Sequence, residues 1–222
     1  MLYPRYFFSE EFLPFEKDFE RHGAKRMAFR RNELLKRPTT YMDRSFYIVD
    51  GYCSVAVGHN SGNERLVGFW GRGSIYPLII NENHFFLETA ITVKAVSDMT
   101  VLAMDVPCLR SALEENPEIA LASIDHYGAY TNLLKFEAAA QSYEDALMRV
   151  CNILYIRYDN YLEGSIRLTQ GDIASMAGLR RESVVKVLRH LREEGIIGTG
   201  PNLLVRDPDR LLALCSDMLQ PG

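Results

Sequence analysis

The hydrophobic pattern changes period three times along the chain. Between Met27 and Met104, apolar residues come in short runs at Ser45 to Val49, Cys53 to Val57, Arg65 to Phe69, Thr89 to Val96 and Val101 to Met104. Turn-forming stretches such as Asn60-Ser61-Gly62-Asn63 and Ser97-Asp98 separate them. Runs this short predict strands, and their close spacing predicts an antiparallel roll or barrel. Ahead of them, Phe7, Phe8, Phe12, Phe15 and Phe19 predict a short helical element packed on the strands of that roll. From Pro117 to about Gln141 the turn residues vanish apart from Gly128, and Ile124, Tyr127, Thr131, Leu134, Ala138 and Gln141 recur at three- and four-residue intervals. They form one stripe of a long helix, either a seam between two copies of the chain or a face packed only on its own roll.

The third regime, Ile166 to Ile197, is the most specific. Thr169 followed three residues later by Asp172 is a capping box, so a helix starts there with Ile173, Ala174 and Met176 as its apolar face. Gly178 then gives the freedom to stop one helix and launch another. From Arg180 the 3.6 period returns, with Val184, Val187, Leu188 and Leu191 on one face and Gly195 at the C-terminal end. Arg181, Glu182, Val185, Lys186, Arg189 and Arg192 occupy the other face. Arginine bonds bidentately to guanine, a carboxylate accepts from cytosine and valine touches a thymine methyl, so this face suits a major groove. Thr169, Arg180, Arg181, Glu182, Ser183, Val185, Lys186 and Arg189 are the expected DNA-binding residues. Ile196 to Val205, two apolar runs around Gly200-Pro201-Asn202, predicts a β-hairpin wing.

These residues make the segment similar to the C-terminal domain of the CRP/FNR superfamily of bacterial transcription regulators, and the resemblance covers nearly the whole chain. Phe46-Tyr47-Ile48-Val49-Asp50-Gly51 matches the family's strand-glycine element, Gly62 its hairpin turn, and Gly71-Arg72-Gly73-Ser74-Ile75 the place where the sheet rolls back. Asn116-Pro117 opens the long helix, and Arg149 falls in the hinge-proximal helix. The resemblance implies an α+β fold: an N-terminal antiparallel β-roll of the cyclic-nucleotide-binding jelly-roll kind, a long dimerisation helix, and a C-terminal winged helix-turn-helix. It also implies a homodimer on a near-palindromic operator with half-sites resembling TGTGA, and RNA polymerase as a partner if the protein activates. Arg181, Glu182 and Lys186 fall on the family's base-reading positions, with lysine replacing an arginine at the last. Ser142-x-x-Asp145 is a second capping signature, which puts the hinge near Gln141 to Tyr143 and divides the chain into residues 1–143 and 144–222.

The ligand of the roll is less directly legible. At the positions where cyclic-nucleotide-binding relatives hold the ribose, phosphate and base, this chain has Leu78, Glu88, Leu134 and Lys135, with only Thr89 retained. A carboxylate at the phosphate position repels a cyclic nucleotide, so an effector other than cyclic AMP is expected. Tyr76, Phe85, Phe86, Tyr127 and Tyr130 either wall a pocket for a small, partly apolar effector, with Lys135 as its cationic handle, or fill the vacated core.

Composition narrows the classes. The 222 residues allow one or two domains, and the net charge of -4 excludes a generally basic coat, so attraction to phosphate must be local to Arg180, Arg181, Lys186, Arg189 and Arg192. No run approaches the roughly 18 apolar residues of a membrane span, and the N-terminus lacks a cationic region leading into an apolar one, which predicts a cytoplasmic protein. Cys53, Cys108, Cys151 and Cys215 are scattered without metal spacing and predict buried thiols; the superfamily that the chain resembles includes an oxygen-sensing branch that holds an iron-sulfur cluster through cysteines near its N-terminus, and no cysteine here precedes Cys53. His22, His59, His84, His126 and His190 are equally dispersed. A cupin-like metalloenzyme would need histidines paired on neighbouring strands, which His59 and His84 are not, and no catalytic motif is present. No cofactor or metal is expected, only an unidentified small-molecule effector. The remaining alternative is a winged helix used for protein contacts alone.

Overall fold

The computed structural model describes residues 4–59, 62–81, 86–159, 167–200 and 202–220. Contacts divide the chain into two compact units, residues 7–128 and residues 129–222 together with the N-terminal 1–6.

The first unit is built from two sheets. β1 (Phe7–Phe8), β6 (Glu64–Gly71), β5 (Tyr52–Gly58), β8 (Ile91–Ala95) and β3 (Leu34–Lys36) lie in that order in a five-stranded sheet. β2 (Lys25–Phe29), β9 (Met99–Met104), β4 (Ser45–Asp50) and β7 (Ile75–Tyr76) form a four-stranded one. Every pairing is antiparallel except β1 with β6. The chain changes sheets at Gly51, between β4 and β5, where φ is +80° and a Cβ would stand 2.3 Å from the Asp98 carbonyl oxygen. Only glycine fits that corner. It changes sheets again between β6 and β7, across the Gly71 to Ser74 segment. Ser45, Phe46, Tyr47 and Ile48 of β4 are all buried. An unbroken apolar run of this kind marks a strand covered on both faces. One cover is the cluster in which Tyr47, Ile75 and Leu102 meet Phe12 and Phe19 of the N-terminal segment and Leu109, Ala112 and Ile119 further on. Those residues belong to or flank α1 (Glu16–Arg21), α2 (Val106–Glu115) and the start of α3 (Pro117–Tyr143).

Two sequence expectations change here, and one edge strand goes unannounced by the pattern. Phe7 and Phe8 are not helical: they add a parallel strand to the edge of β6, and helix begins only with the 3-10 turn Leu13–Phe15 and α1. The Thr89 to Val96 run is strand only over Ile91–Ala95, because Phe86–Ala90 forms a 3-10 turn. The strand Lys25–Phe29 has no counterpart in the sequence pattern: four of its five residues are exposed, and an exposed edge strand carrying Lys25 and Arg26 has no apolar alternation to betray it. Asn60 and Ser61 of the expected hairpin turn lie outside the described residues, while His59 donates its backbone N–H to the Asn63 carbonyl across it.

The second unit holds the later part of α3, then α4 (Ala146–Asp159), α5 (Gln170–Ala177), α6 (Arg181–Glu193) and α7 (Pro208–Ala213). Its core is made by Val150, Ile153 and Leu154 of α4, Ile173 and Met176 of α5, Val184, Leu188 and Leu191 of α6, and Leu211 of α7. Buried Asn152 ties its ends together: its amide donates to Glu144 at 2.6 Å and its oxygen accepts from the Ser216 N–H at 2.9 Å. α3 ends at Tyr143 and α4 starts at Ala146, and the capping between them differs from the Ser142-x-x-Asp145 box expected from the sequence. Ser142 turns its hydroxyl back to the Ala138 carbonyl, and Asp145 alone caps α4 by accepting from the Met148 N–H at 2.9 Å.

Candidate nucleic-acid interface and effector cavity

Local chemistry sets the two helices of the interface. At the start of α5, Thr169 Oγ1 accepts from the Asp172 N–H at 3.1 Å while the Asp172 carboxylate accepts from the Thr169 N–H at 2.8 Å. The capping box is complete. Gly178 ends the helix in the left-handed region, φ 62° and ψ 38°, and the Leu179 N–H closes on the Ala174 carbonyl at 2.9 Å. Arg149 of α4 donates to the Ala177 carbonyl at 3.0 Å, satisfying one of the acceptors that the end of α5 leaves open. α6 then begins at Arg181.

With Val184, Leu188 and Leu191 buried, the helical period turns Arg181, Glu182, Val185, Lys186 and Arg189 outward, and all five are exposed. Thr169 and Arg180 are exposed at the two helix starts, and Ser183 is half-buried. Arg189 comes within 3.9 Å of Glu193, an exposed pair too weak to withhold it from a phosphate. Arg192 is half-buried rather than part of the exposed face. The wing is slighter than a hairpin of two strands: one antiparallel bridge joins Ile197 to Val205, flanked by bonds from Gly198 to Leu204 and from Arg206 to Ile196. Pro201 lies outside the described residues.

In the first unit, a cavity of about 260 Å³ is lined by Lys36, Met42, Tyr76, Pro77, Leu78, Ile79, Ile80, Asn81, Glu88, Ile91 and Tyr127. Of the effector residues expected from sequence, it gathers Tyr76, Leu78, Glu88 and Tyr127. Thr89, half-buried, is next to Glu88 in the same 3-10 turn but does not line the cavity. Phe85 and the side chain of Phe86 lie outside the described part of the chain, and Tyr130, Leu134 and Lys135 belong to the second unit. The Tyr127 hydroxyl donates to the Leu78 carbonyl at 3.0 Å, and burial raises its pKa.

Sequence reasoning missed Lys36. It is 4% exposed, and its ammonium donates to the Ile91 carbonyl at 2.6 Å and the Arg37 carbonyl at 3.0 Å. Burial lowers its pKa and the Glu88 carboxylate opposes that shift. A buried ammonium thus lines the same cavity as the Glu88 carboxylate and feels its charge. The available signal was a lysine at the end of the apolar pair Leu34-Leu35.

Residues 148–214 match the model of the Crp-like helix-turn-helix domain. The cyclic AMP receptor protein of Thermus thermophilus is 24% identical over 158 residues, which span 70% of this chain and 71% of that protein. Among solved structures, a CooA variant from Carboxydothermus hydrogenoformans has a TM-score of 0.76 at 19% identity, over 93% of this chain and 99% of its own. CprK complexed with OCPA has a TM-score of 0.73 at 16% identity, over 90% and 93%. Residues 148–214 are thus similar in sequence to the Crp-like helix-turn-helix domain, and the chain shares the fold of the CooA and CprK structures over nearly its full length.

Proposed function

We propose that the protein is a cytoplasmic homodimer that binds a near-palindromic operator through α6 and is controlled by a small effector other than cyclic AMP. The observation that carries the DNA reading is the exposed row on α6, with Arg181 and Glu182 in its first turn. Arg181 bonds a guanine bidentately, Glu182 accepts from a cytosine amino group, and Lys186 reads a third position. Thr169, Arg180, Ser183 and Arg189 contact the backbone, and Val185 meets a thymine methyl. Residues 1–143 sense the effector and residues 144–222 bind DNA, with RNA polymerase as a further partner where binding activates.

The stripe on α3 supports the dimer. Ile124, Tyr127, Thr131, Leu134, Ala138 and Gln141 are all exposed on the single chain, Ile124 by 66% and Leu134 by 43%, whereas Leu133, Phe136 and Ala140 are buried. Apolar side chains aligned and exposed along one helix face call for a partner, and a two-fold pair would set two α6 helices one DNA turn apart. The cavity supports effector control, and CprK, which shares the fold, carries OCPA. Glu88 and the aliphatic wall argue against a cyclic nucleotide phosphate there.

Binding-site selection on randomised duplexes, with the natural protein and with Arg181→Ala, tests the assignment. The natural protein should return paired half-sites resembling TGTGA. Arg181→Ala should lose roughly 1–3 kcal/mol at its guanine and flatten the preference there; an unchanged consensus would overturn the reading.

A further inference from the structure

We propose that the β-roll cavity takes a small apolar molecule with a net-neutral head group that accepts a hydrogen bond from Lys36 and donates one to Glu88, as a carboxamide does, and that it discriminates against simple carboxylates. The inference deepens the effector reading above and rests on it only in treating the cavity as the control site.

Size comes first. At about 260 Å³ the cavity falls just under the roughly 300 Å³ at the small end of ligand pockets, which suits a molecule of one ring and a short polar tail. The wall of Met42, Pro77, Leu78, Ile79, Ile80 and Ile91 fits an apolar body, and Tyr76 and Tyr127 add aromatic surface.

Charge decides the head group. Among the described residues, the ionisable groups lining the cavity, tyrosines aside, are Lys36 and Glu88, one of each sign. Lys36 is held in place by two carbonyl oxygens and its charge is supported by Glu88. An ammonium carries three protons, so it can serve these carbonyls and still present a donor toward the cavity. A carboxylate ligand would bring a second anion beside Glu88, and placing like charges together is costly. A cationic ligand meets the same penalty against Lys36. A neutral head with one acceptor and one donor adds no charge beside either group and can bond to both.

Removing the Glu88 charge should therefore invert the preference. Calorimetric titration of the full-length protein with phenylacetamide and with phenylacetate tests it. The unsubstituted protein should bind the amide at least about tenfold more tightly, the worth of one hydrogen bond to a charged group. Glu88→Gln, nearly isosteric at a half-buried position, should gain about tenfold for phenylacetate and reverse the order. Tighter binding of phenylacetate by the unsubstituted protein, no binding of either probe, or an unreversed order in folded Glu88→Gln overturns the proposal. Retention on the selected operator is measured on the same preparations. Specific retention with the wrong ligand order sinks the cavity chemistry alone; the expected order without specific retention sinks the regulator reading and leaves the cavity chemistry standing.

Discussion

Thr169 and Asp172 hold each other across the first turn of α5, each side chain accepting the other's backbone N–H at 3.1 and 2.8 Å. The Thr169 hydroxyl also donates to the same carboxylate at 2.8 Å, so its lone pairs are aimed at the helix rather than at solvent. Thr169→Ala removes one partner and orphans an N–H at the end of an eight-residue helix, which has little cooperativity of its own to absorb the loss. The expected cost is about 1 kcal/mol of stability, read as a lower midpoint in thermal unfolding. Thr169→Ser, which keeps the hydroxyl, should restore most of it, whereas equal losses in both would show that packing of the methyl group matters instead.

That helix was legible because capping is local: the whole motif lies in four residues, and no distant contact can override it. Gly178 was legible for the same reason. β4 and β9 were found from their apolar runs, but β2, which pairs with β9, was not, because Lys25 and Arg26 on an exposed edge obey solvent rather than a core. Phe7 and Phe8 read as helix from their spacing with Phe12 and Phe15, yet strand β6 recruits them through pairing that no local pattern announces. Lys36 shows the same limit at the cavity. What makes it significant is the carbonyl of Ile91, 55 residues away, and the carboxylate of Glu88, neither visible from the sequence around it. Ser142 does not cap because it lies inside the last turn of α3, where its hydroxyl donates to the Ala138 carbonyl.

Phosphate and base contacts should separate in salt. Arg189 is exposed on the third turn of α6 and, in the proposed complex, neutralises a phosphate. Arg189→Ala should weaken binding to every duplex alike and reduce the slope of log affinity against log salt by about 0.9 per lost contact, leaving the consensus intact. Fluorescence anisotropy at several potassium chloride concentrations measures it. A change confined to the selected site would instead make Arg189 a base reader.

The α3 stripe gives a sharper test of assembly. In a two-fold seam Leu134 approaches its own copy or a near neighbour, so Leu134→Glu introduces paired like charges where apolar surface is to be covered. Sedimentation velocity should show monomer. Operator affinity should fall by on the order of 100-fold or more, since one half-site alone forgoes the gain from linkage. The substituted residue is 43% exposed in the single chain, so folding should survive and the unfolding midpoint of the isolated subunit should hardly move. A dimer that persists would place the stripe on another partner.

The thiols predict behaviour at high pH. All four cysteines are free and buried, and burial pushes Cys53 and Cys151 up to about 12 from an ordinary value near 9 and raises Cys108 and Cys215 as well. Thiolate is the reactive form, so the folded protein should resist iodoacetamide at pH 8 while a denatured control is labelled at all four positions, as mass spectrometry would count. The same shifts bear on stability. Between about 9 and 12 the unfolded chain has already released these protons and the folded chain still holds them. The unfolded state then binds fewer protons, and stability falls as pH rises, by up to about 1.4 kcal/mol per pH unit for each such thiol. Below 9 both states keep the proton and the contribution is flat. Replacing Cys53 and Cys151 with alanine should therefore lower stability at pH 7 through lost packing, yet flatten the decline above pH 9 seen in denaturant titrations. A decline of unchanged steepness would assign it to the groups that remain, Cys215 and Tyr47 among them, since burial raises both in the same direction.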